Sequence, residues 1–490
     1  MGIIVVGLGP GDPGLLTRKA WDVLAGAKEV YLRTRIHPTV AALPEDPVYH
    51  SFDELYERGE SFGAVYEAIV ERLVELASSG EPVIYAVPGD PSVGEGTVGR
   101  LCAVCGMKNI LVELVAGVSF IEPALAALAI DGIAGLQILD ATDVAAGHHP
   151  QINPDHGALI AQVYNRQMAS DVKLTLMNQY PDDHPVTLIH AAATADQRVD
   201  RVPLYEIDRL EAAHLTTLYV PPFDESAGAV TSFEGFEETI AHLRAPEGCP
   251  WDQKQTHESL RSYLIEEAYE LLDAIDSGQV DGMREEMGDL LLQIVLHTQI
   301  AVDEGEFSMP EVIRGIDAKI KRRHPHVWGS VDVNGDAEKV TANWEQIKAE
   351  ERADKGENEK SLLDGVPKSL PALAQAHEYD RRAARIGFDW PDEAGVVEKV
   401  REELAEVMAA ATPEQLFHEV GDLLLAVTAL GRWKGVTPED ALRAANGRFY
   451  NRFTFVERAV KAQGKPMSAL SAAELDALWN QAKEAIADRQ

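Results

Sequence analysis

The chain is poor in cysteine, in basic charge and in long apolar runs, and each shortage excludes something. Three cysteines among 490 residues are an odd number and supply no disulfide framework. Cys102 and Cys105 have CxxC spacing, but no second CxxC and no His pair accompany them, so ordinary packing is expected ahead of redox or metal chemistry. No stretch approaches the roughly 18 consecutive apolar residues of a membrane span. The opening MGIIVVGLGPGDPG has no basic cluster before its Gly/Pro turn, so a secretory signal is not expected and a cytoplasmic location is. Lys and Arg number 44 against 80 Asp and Glu, a net charge of −36. Such a surface repels nucleic-acid phosphates and anionic membranes, and neither is an expected partner.

What is present changes character along the chain. Up to about residue 220, strands and helices alternate: Ile3 to Val6, Val83 to Val87 and Ile110 to Val115 read as strands, and 65–77 as an amphipathic helix. This is an α/β pattern. Pro221-Pro222 and the residues after them mark a boundary, and from about Phe233 long helical patterns rich in Glu, Leu and Ala take over. That half contains a repeat. Glu266-Glu267-Ala-Tyr-Glu270 precedes Glu285-Glu286-Met-Gly-Asp289, and Glu402-Glu403-Leu-Ala-Glu406 precedes His418-Glu419-Val-Gly-Asp422. The offsets are 136 positions for Glu267 to Glu403 and 133 for Glu286 to Glu419, which a shorter loop in the second copy would explain. The charged stretch Glu350 to Lys360 reads as a linker. The expected domains are 1–222, 230–349 and 362–490, with 350–361 between the last two.

Residues three or four apart on a helix share a face, so Glu267 with Glu270, and Glu286 with Asp289, form carboxylate pairs beside apolar stripes. A short turn at Ser277-Gly278 would bring the pairs together across packed helices. Four like charges held close are costly unless protonated or neutralised. Mg²⁺ accepts carboxylate, water and phosphate oxygens together, with Mn²⁺ as an alternative. Glu403, Glu406, Glu419 and Asp422 repeat the argument. A solvated acidic helix face is the bland reading of one EExxE; its recurrence with ExxDLLL after it favours metal.

These motifs resemble the MazG family of all-α nucleoside triphosphate pyrophosphohydrolases. Gly248-Cys-Pro-Trp-Asp252, Lys319 to Gly329, Asn343 to Lys348, Gly387-Phe-Asp-Trp390 and Ala445 to Phe449 support the likeness, which spans about 230–490. It implies metal-dependent attack of water on a triphosphate, with the eight acids above as ligands. Glu266 and Glu402 would orient or deprotonate water. Lys399, Arg448, Arg452 and Trp479 would face the substrate in the second copy. Lys319, Arg322 and Arg323 would meet phosphate in the first, although a solvated basic helix end describes them as well. Homodimerisation is expected by analogy with that family.

In the N-terminal part, Gly7-Leu-Gly-Pro-Gly-Asp-Pro-Gly14 follows a strand, but its prolines spoil the helix start that a dinucleotide fingerprint needs. With Val87 to Gly94 and Gly117-Val-Ser-Phe120 it resembles the tetrapyrrole methylase family, whose α/β lobes hold S-adenosylmethionine. Gln137 to Thr142 and Lys173 to Met177 look like the YabN-type branch, in which the methylase is fused to MazG. Pro10, Gly89, Asp90, Val93, Ser119 and Phe120 would then line the cofactor site, with a tetrapyrrole or another methyl acceptor as substrate. Phe120-Ile-Glu-Pro departs from that family's usual small residues.

The expected architecture is therefore a two-lobed α/β domain followed by two all-α domains. The leading expectation for function is a magnesium-dependent pyrophosphohydrolase with a methyltransferase-like domain. The alternatives are a methyltransferase whose helical half is regulatory, and a nucleotide sensor that binds without turnover.

Overall fold

The computed structural model describes residues 2–487 except 60, 79, 80, 225, 227, 355–360 and 465. The chain forms two compact units, Met1–Ile313 and Arg314–Gln490.

The first unit begins with a parallel sheet of β1 (Gly2–Gly7), β2 (Glu29–Leu32), β3 (Val48–Ser51), β4 (Val83–Val87) and β5 (Leu111–Val115), in the order β3-β2-β4-β1-β5. Parallel crossovers lay helices on both faces, so such strands are apolar without alternation. All five residues of β4 are buried. The Phe62–Ala77 helix covers one face with Val65, Ile69 and Leu73, and Arg18–Ala25 covers the other with Ala20 and Leu24. A second sheet holds β6 (Gln137–Asp140), β7 (Ala158–Ala161), β8 (Pro185–His190), β9 (Arg198–Pro203) and β10 (Thr216–Val220), in the order β6-β7-β10-β8-β9. Its β6–β7 pair is parallel and the other pairs are antiparallel.

The loops leaving β1, β4 and β5 cross at very short range. A Cβ on Gly7 would stand 2.6 Å from the Gly89 carbonyl oxygen, and one on Gly117 would stand 2.2 Å from that same oxygen. These are backbone atoms that cannot swing aside.

The Asp155 carboxylate fastens the helical part to the second lobe, accepting from Thr231 N at 2.6 Å and Thr231 Oγ1 at 2.7 Å. Ser232 then caps α1 (Phe233–Arg244) through Gly235 N at 2.9 Å. Next come α2 (Arg261–Ser277), α3 (Val280–Glu304) and α4 (Met309–Arg323). Gly278, at φ 66°, closes α2 in the left-handed conformation that favours glycine and lets α3 fold back on it. The second unit contains α5 (Ala337–Asp354), α6 (Ala372–Arg385), α7 (Glu393–Ala409), α8 (Pro413–Trp433), α9 (Pro438–Ala462) and α10 (Ala472–Ala487).

The expected order, an α/β part followed by all-α parts, holds. Two local expectations change. The three-residue difference between the repeats lies in the helix: α2 runs on to Ser277, whereas α7 stops at Ala409 and its connection, 410–412, is the longer one. Pro413 sets this end, because the residue before a proline avoids helical backbone, and Thr412 Oγ1 instead caps α8 by accepting from Gln415 N at 3.2 Å. Of the charged stretch, 350–354 continue α5, and 355–360 lie outside the described residues.

The glycine crossing makes a directional prediction. Gly117→Ala should cost about 1–3 kcal/mol by overpacking. Gly99→Ala, where a new Cβ meets nothing within 4 Å, should be neutral or stabilising by up to about 1 kcal/mol. Hydrogen exchange of the β1 and β4 amides reads the difference, and equal protection in both variants would refute the close-crossing account.

Candidate active sites

α2 places Glu267 and Glu270 one turn apart, and α3 brings Glu286 and Asp289 back beside them. One carboxylate oxygen each from Glu267, Glu270 and Glu286 lies within 4.8 Å of the others. Asp289 falls outside that triad but stays near it: burial first, then the charges of Asp289, Glu270, Glu266 and Glu286, push the Glu267 carboxyl above its ordinary range. Burial followed by Glu270 and Asp289 does the same to Glu286, whose Oε2 is buried without a hydrogen-bond partner. Glu266 is exposed at the edge of the group. An all-oxygen set with a buried unpaired acceptor suits a hard divalent cation.

The second copy repeats the triad with Glu403, Glu406 and Glu419, again within 4.8 Å. Here a cation belongs to the cluster. Lys399 Nζ lies 2.7 Å from Glu403 Oε1 and 3.0 Å from Glu402 Oε1, and these two contacts hold the ammonium well above its ordinary pKa. Four residues before Glu267 the first copy has Tyr263 instead. Burial, then Glu403 and Glu419, raise the Glu406 carboxyl. Glu403 is 5% exposed, and its Oε2 has no hydrogen-bond partner.

Asp422 stands outside the second triad and lines a cavity of about 700 Å³ with Lys399, Glu403, Tyr379, Phe388 and Trp390. Sequence reasoning misses this aromatic wall, although Gly387-Phe-Asp-Trp390 carries the signal for it. Asp389 of that motif accepts from Arg432 Nη2 at 2.6 Å and Trp433 Nε1 at 3.0 Å, which fixes the loop. The other expected substrate contacts are not among the lining residues. Arg448 is exposed on α9, Arg452 Nε is buried without a partner, and Trp479 packs on Phe449 with ring centroids 5.3 Å apart. Arg322 and Arg323 bind Glu351 at 2.6 and 2.7 Å, and Arg323 foremost holds that carboxyl down to about 2. Lys319 is exposed on α4. Cys105 packs in the core of the first lobe.

The two N-terminal lobes enclose a cavity of about 680 Å³. Pro10, Gly89, Val93 and Phe120 are among its lining residues. Asp90 and Ser119 act behind the wall. Asp90 Oδ2 accepts from Gly117 N at 2.9 Å, and Ser119 Oγ donates to Glu122 at 2.6 Å. Gly89 has φ 66°, and a Cβ there would meet nothing within 4 Å, so its backbone faces open space. Arg33, His37, Asp53, Glu95 and His214 also line the cavity. Arg33 and His37 are four residues apart and the others are farther off, and together they carry no motif.

Three family models match the chain. Tetrapyrrole (Corrin/Porphyrin) Methylases covers 2–208, the MazG nucleotide pyrophosphohydrolase domain covers 255–328, and Phosphoribosyl-ATP pyrophosphohydrolase covers 377–448. An uncharacterised Bacillus subtilis protein, YabN, is 43% identical over 98% of both chains. The nucleoside triphosphate pyrophosphohydrolase/pyrophosphatase MazG of Thermotoga maritima is 45% identical over 51% of this chain and 95% of its own. The nucleoside triphosphate pyrophosphohydrolase of Escherichia coli K12 is 44% identical over 50% and 94%. Among solved structures, uroporphyrin-III C-methyl transferase from Thermus thermophilus, complexed with S-adenosyl homocysteine, matches with 20% identity and a TM-score of 0.34, over 45% of this chain and 96% of that one.

The crowded acids make a prediction in the absence of metal. A carboxyl whose pKa is raised by folding imposes a cost that is complete above its folded pKa and absent below its unfolded one. Glu286→Gln should therefore raise the metal-free melting temperature at neutral pH. The gain should shrink as pH falls into the ordinary carboxylate range. Mg²⁺ should stabilise the wild type more than the variant. A variant that melts lower than wild type without metal would contradict the repulsion argument.

Proposed function

The chain belongs to the MazG nucleotide pyrophosphohydrolase family, fused to a tetrapyrrole methylase domain, and on that premise we propose that its helical half hydrolyses nucleoside triphosphates to monophosphate and diphosphate with Mg²⁺. The observation that carries this reading is the convergence of three carboxylates in each repeat, each triad holding a buried oxygen with no partner. Divalent cations, when bound, neutralise phosphate charge and activate water. In this proposal Glu267, Glu270, Glu286 and Asp289 hold them in the first repeat, and Glu403, Glu406, Glu419 and Asp422 in the second. Mn²⁺ satisfies the same oxygens.

We assign turnover to the second repeat. Lys399 is already at its cluster, and a cavity of about 700 Å³ adjoins Glu403 and Asp422. A triphosphate would compete with Glu402 and Glu403 for the ammonium. Glu402 would then be free to orient or deprotonate water, as Glu266 would in the first repeat. Arg448, Arg452 and Trp479 belong to the proposal as groups beyond the cavity wall. Lys319 keeps its place, whereas Arg322 and Arg323 must first give up Glu351. The limits 1–222, 230–349 and 362–490 are our proposed domains.

Homodimerisation is part of the same reading, supported by apolar side chains that the helical pairs leave exposed, Met408 at 80% and Phe417 at 79% among them. No helix among the described residues is long and apolar enough to cross a membrane, and we place the protein in the cytoplasm. For the first lobes we propose S-adenosylmethionine binding, supported by the open backbone at Gly89 and by Pro10, Val93 and Phe120 around it.

Diphosphate release from a panel of nucleoside triphosphates with Mg²⁺ tests the hydrolase. Glu403→Gln should lower kcat/KM by at least about 100-fold, the upper end of losses seen when even supporting groups of a metal site are removed. Glu267→Gln should lower it by no more than a few-fold. Undiminished turnover in the double variant would end the proposal, and binding without turnover in the wild type would favour a sensor.

A further inference from the structure

We propose that the first helical repeat holds a second, separate cation site, in which His257, Glu304 and Glu306 bind a divalent transition ion of the Zn²⁺ class and His297 orients the imidazole.

The chain brings these groups together from two directions. α3 ends at Glu304, and Gly305, at φ 73°, turns the backbone so that Glu306 N donates to Ala301 O at 2.9 Å. The two glutamates therefore flank one helix end. His257 arrives on the loop between α1 and α2, and that loop is pinned to the same helix end. Arg244 Nε donates to Asp303 Oδ2 at 2.7 Å, and its Nη1 donates to Asp252 O at 2.5 Å. Thr256 N donates to Ser259 Oγ at 2.9 Å, and Ser259 N donates to Thr256 Oγ1 at 3.2 Å. One ring nitrogen of His257 and one carboxylate oxygen each of Glu304 and Glu306 lie within 4.8 Å of one another.

The three groups converge without being paired. Neither glutamate makes a hydrogen bond or ion pair among the described residues. Asp303 beside them is fully engaged, accepting from Arg244 and, at 2.8 Å, from Gln299 Nε2. The acids left over at this helix end are the ones that face an imidazole.

That imidazole is held from behind. His257 Nδ1 lies 2.7 Å from His297 Nδ1, with ring planes 5° apart and centroids 5.0 Å apart. The contact is too short for stacked faces, so the rings meet edge to edge through one N–H···N hydrogen bond. Burial, then His257, lower the His297 pKa, and its Nε2 is buried without a partner. His297 is thus neutral and able to accept. A His257 that donates Nδ1–H to it keeps its lone pair on Nε2, the arrangement that orients metal-bound imidazoles.

The donor set selects the ion. Mg²⁺ prefers oxygen ligands throughout, whereas an imidazole with two carboxylates suits Zn²⁺ and its neighbours and leaves a position for water. Asp289 and Glu304 are 15 residues apart on α3, roughly 22 Å at 1.5 Å per residue. The acid triad and this site therefore cannot share an ion. Bound here, the ion would tie the start of α2, which carries Glu267 and Glu270, to the end of α3.

The test is calorimetric titration of the full chain with Zn²⁺ in excess Mg²⁺, followed by X-ray absorption at the zinc edge on protein loaded with one equivalent. The proposal expects saturable binding that weakens at least tenfold in His257→Gln and in the double variant Glu304→Gln/Glu306→Gln. His297→Phe should weaken it about tenfold, and His297→Gln, which keeps an acceptor, should largely restore it. Imidazole scattering should be present in the wild type and lost in His257→Gln. Zn²⁺ bound at the acid triads would show none, because they contain no histidine. Absence of saturable binding, equal affinity in the double variant and the wild type, or bound Zn²⁺ without imidazole scattering would overturn the site. Unchanged affinity in His297→Phe would overturn the orienting role. Circular dichroism monitors folding, and the double variant, which alters two exposed side chains, decides the matter should His257→Gln fail to fold.

Discussion

Repulsion among gathered carboxylates is the constraint around which each helical repeat is arranged. Three acids within 4.8 Å repel one another when ionised, and burial together with that repulsion raises the pKa values of Glu267, Glu286 and Glu406. The helices tolerate it because they are divided lengthwise. In α3 the acids Glu286 and Asp289 occupy the first half, whereas Val295, Leu296 and Ile300 pack with Ile240, Leu260 and Met309 farther along. α8 follows the same plan, with Glu419 and Asp422 ahead of the buried Ala426, Thr428 and Ala429. One end of each helix supplies stability and the other carries charge, so the site can be strained without unfolding its support.

The repeats resolve the strain differently. In the second, Lys399 lies against the acids and offsets part of the repulsion; in the first, Tyr263 stands in its place and no comparable ammonium meets the acids among the described residues. This difference is electrostatic before it is catalytic. A lysine that already neutralises two carboxylates can exchange them for phosphate at little net cost in charge, because one anion replaces another. In the proposed function the second repeat would therefore exchange partners within the site, whereas the first would take up charge from outside.

Much of this is legible in the sequence. Helical periodicity and the i, i+3 carboxylate spacing place eight acids on facing helices, and Ser277-Gly278 marks the turn between the first pair. The strands of the first sheet are visible because parallel strands are uninterrupted apolar runs. What is not legible depends on tertiary proximity. The engagement of Arg322 and Arg323 by Glu351, about one helix away in sequence, cannot be inferred from a basic helix end. Arg33 and Glu95 meet only when the first lobe folds, His214 reaches the same cavity from the second lobe, and no spacing rule joins them. The position of the three-residue difference is the one local feature that the sequence does carry and that repeat spacing alone misplaces, because Pro413 ends the preceding helix early.

The N-terminal lobes show the opposite solution to the same problem of charge near a ligand. There several charged groups are paired with neighbours: Glu95 with Arg33, Arg33 with two tyrosines, Asp53 with Thr34 and a backbone amide. A lining whose charges are largely paired with one another differs from an unpaired acid cluster, which demands cations. The helical sites are thus defined by what they lack and the cavity by what it has already matched.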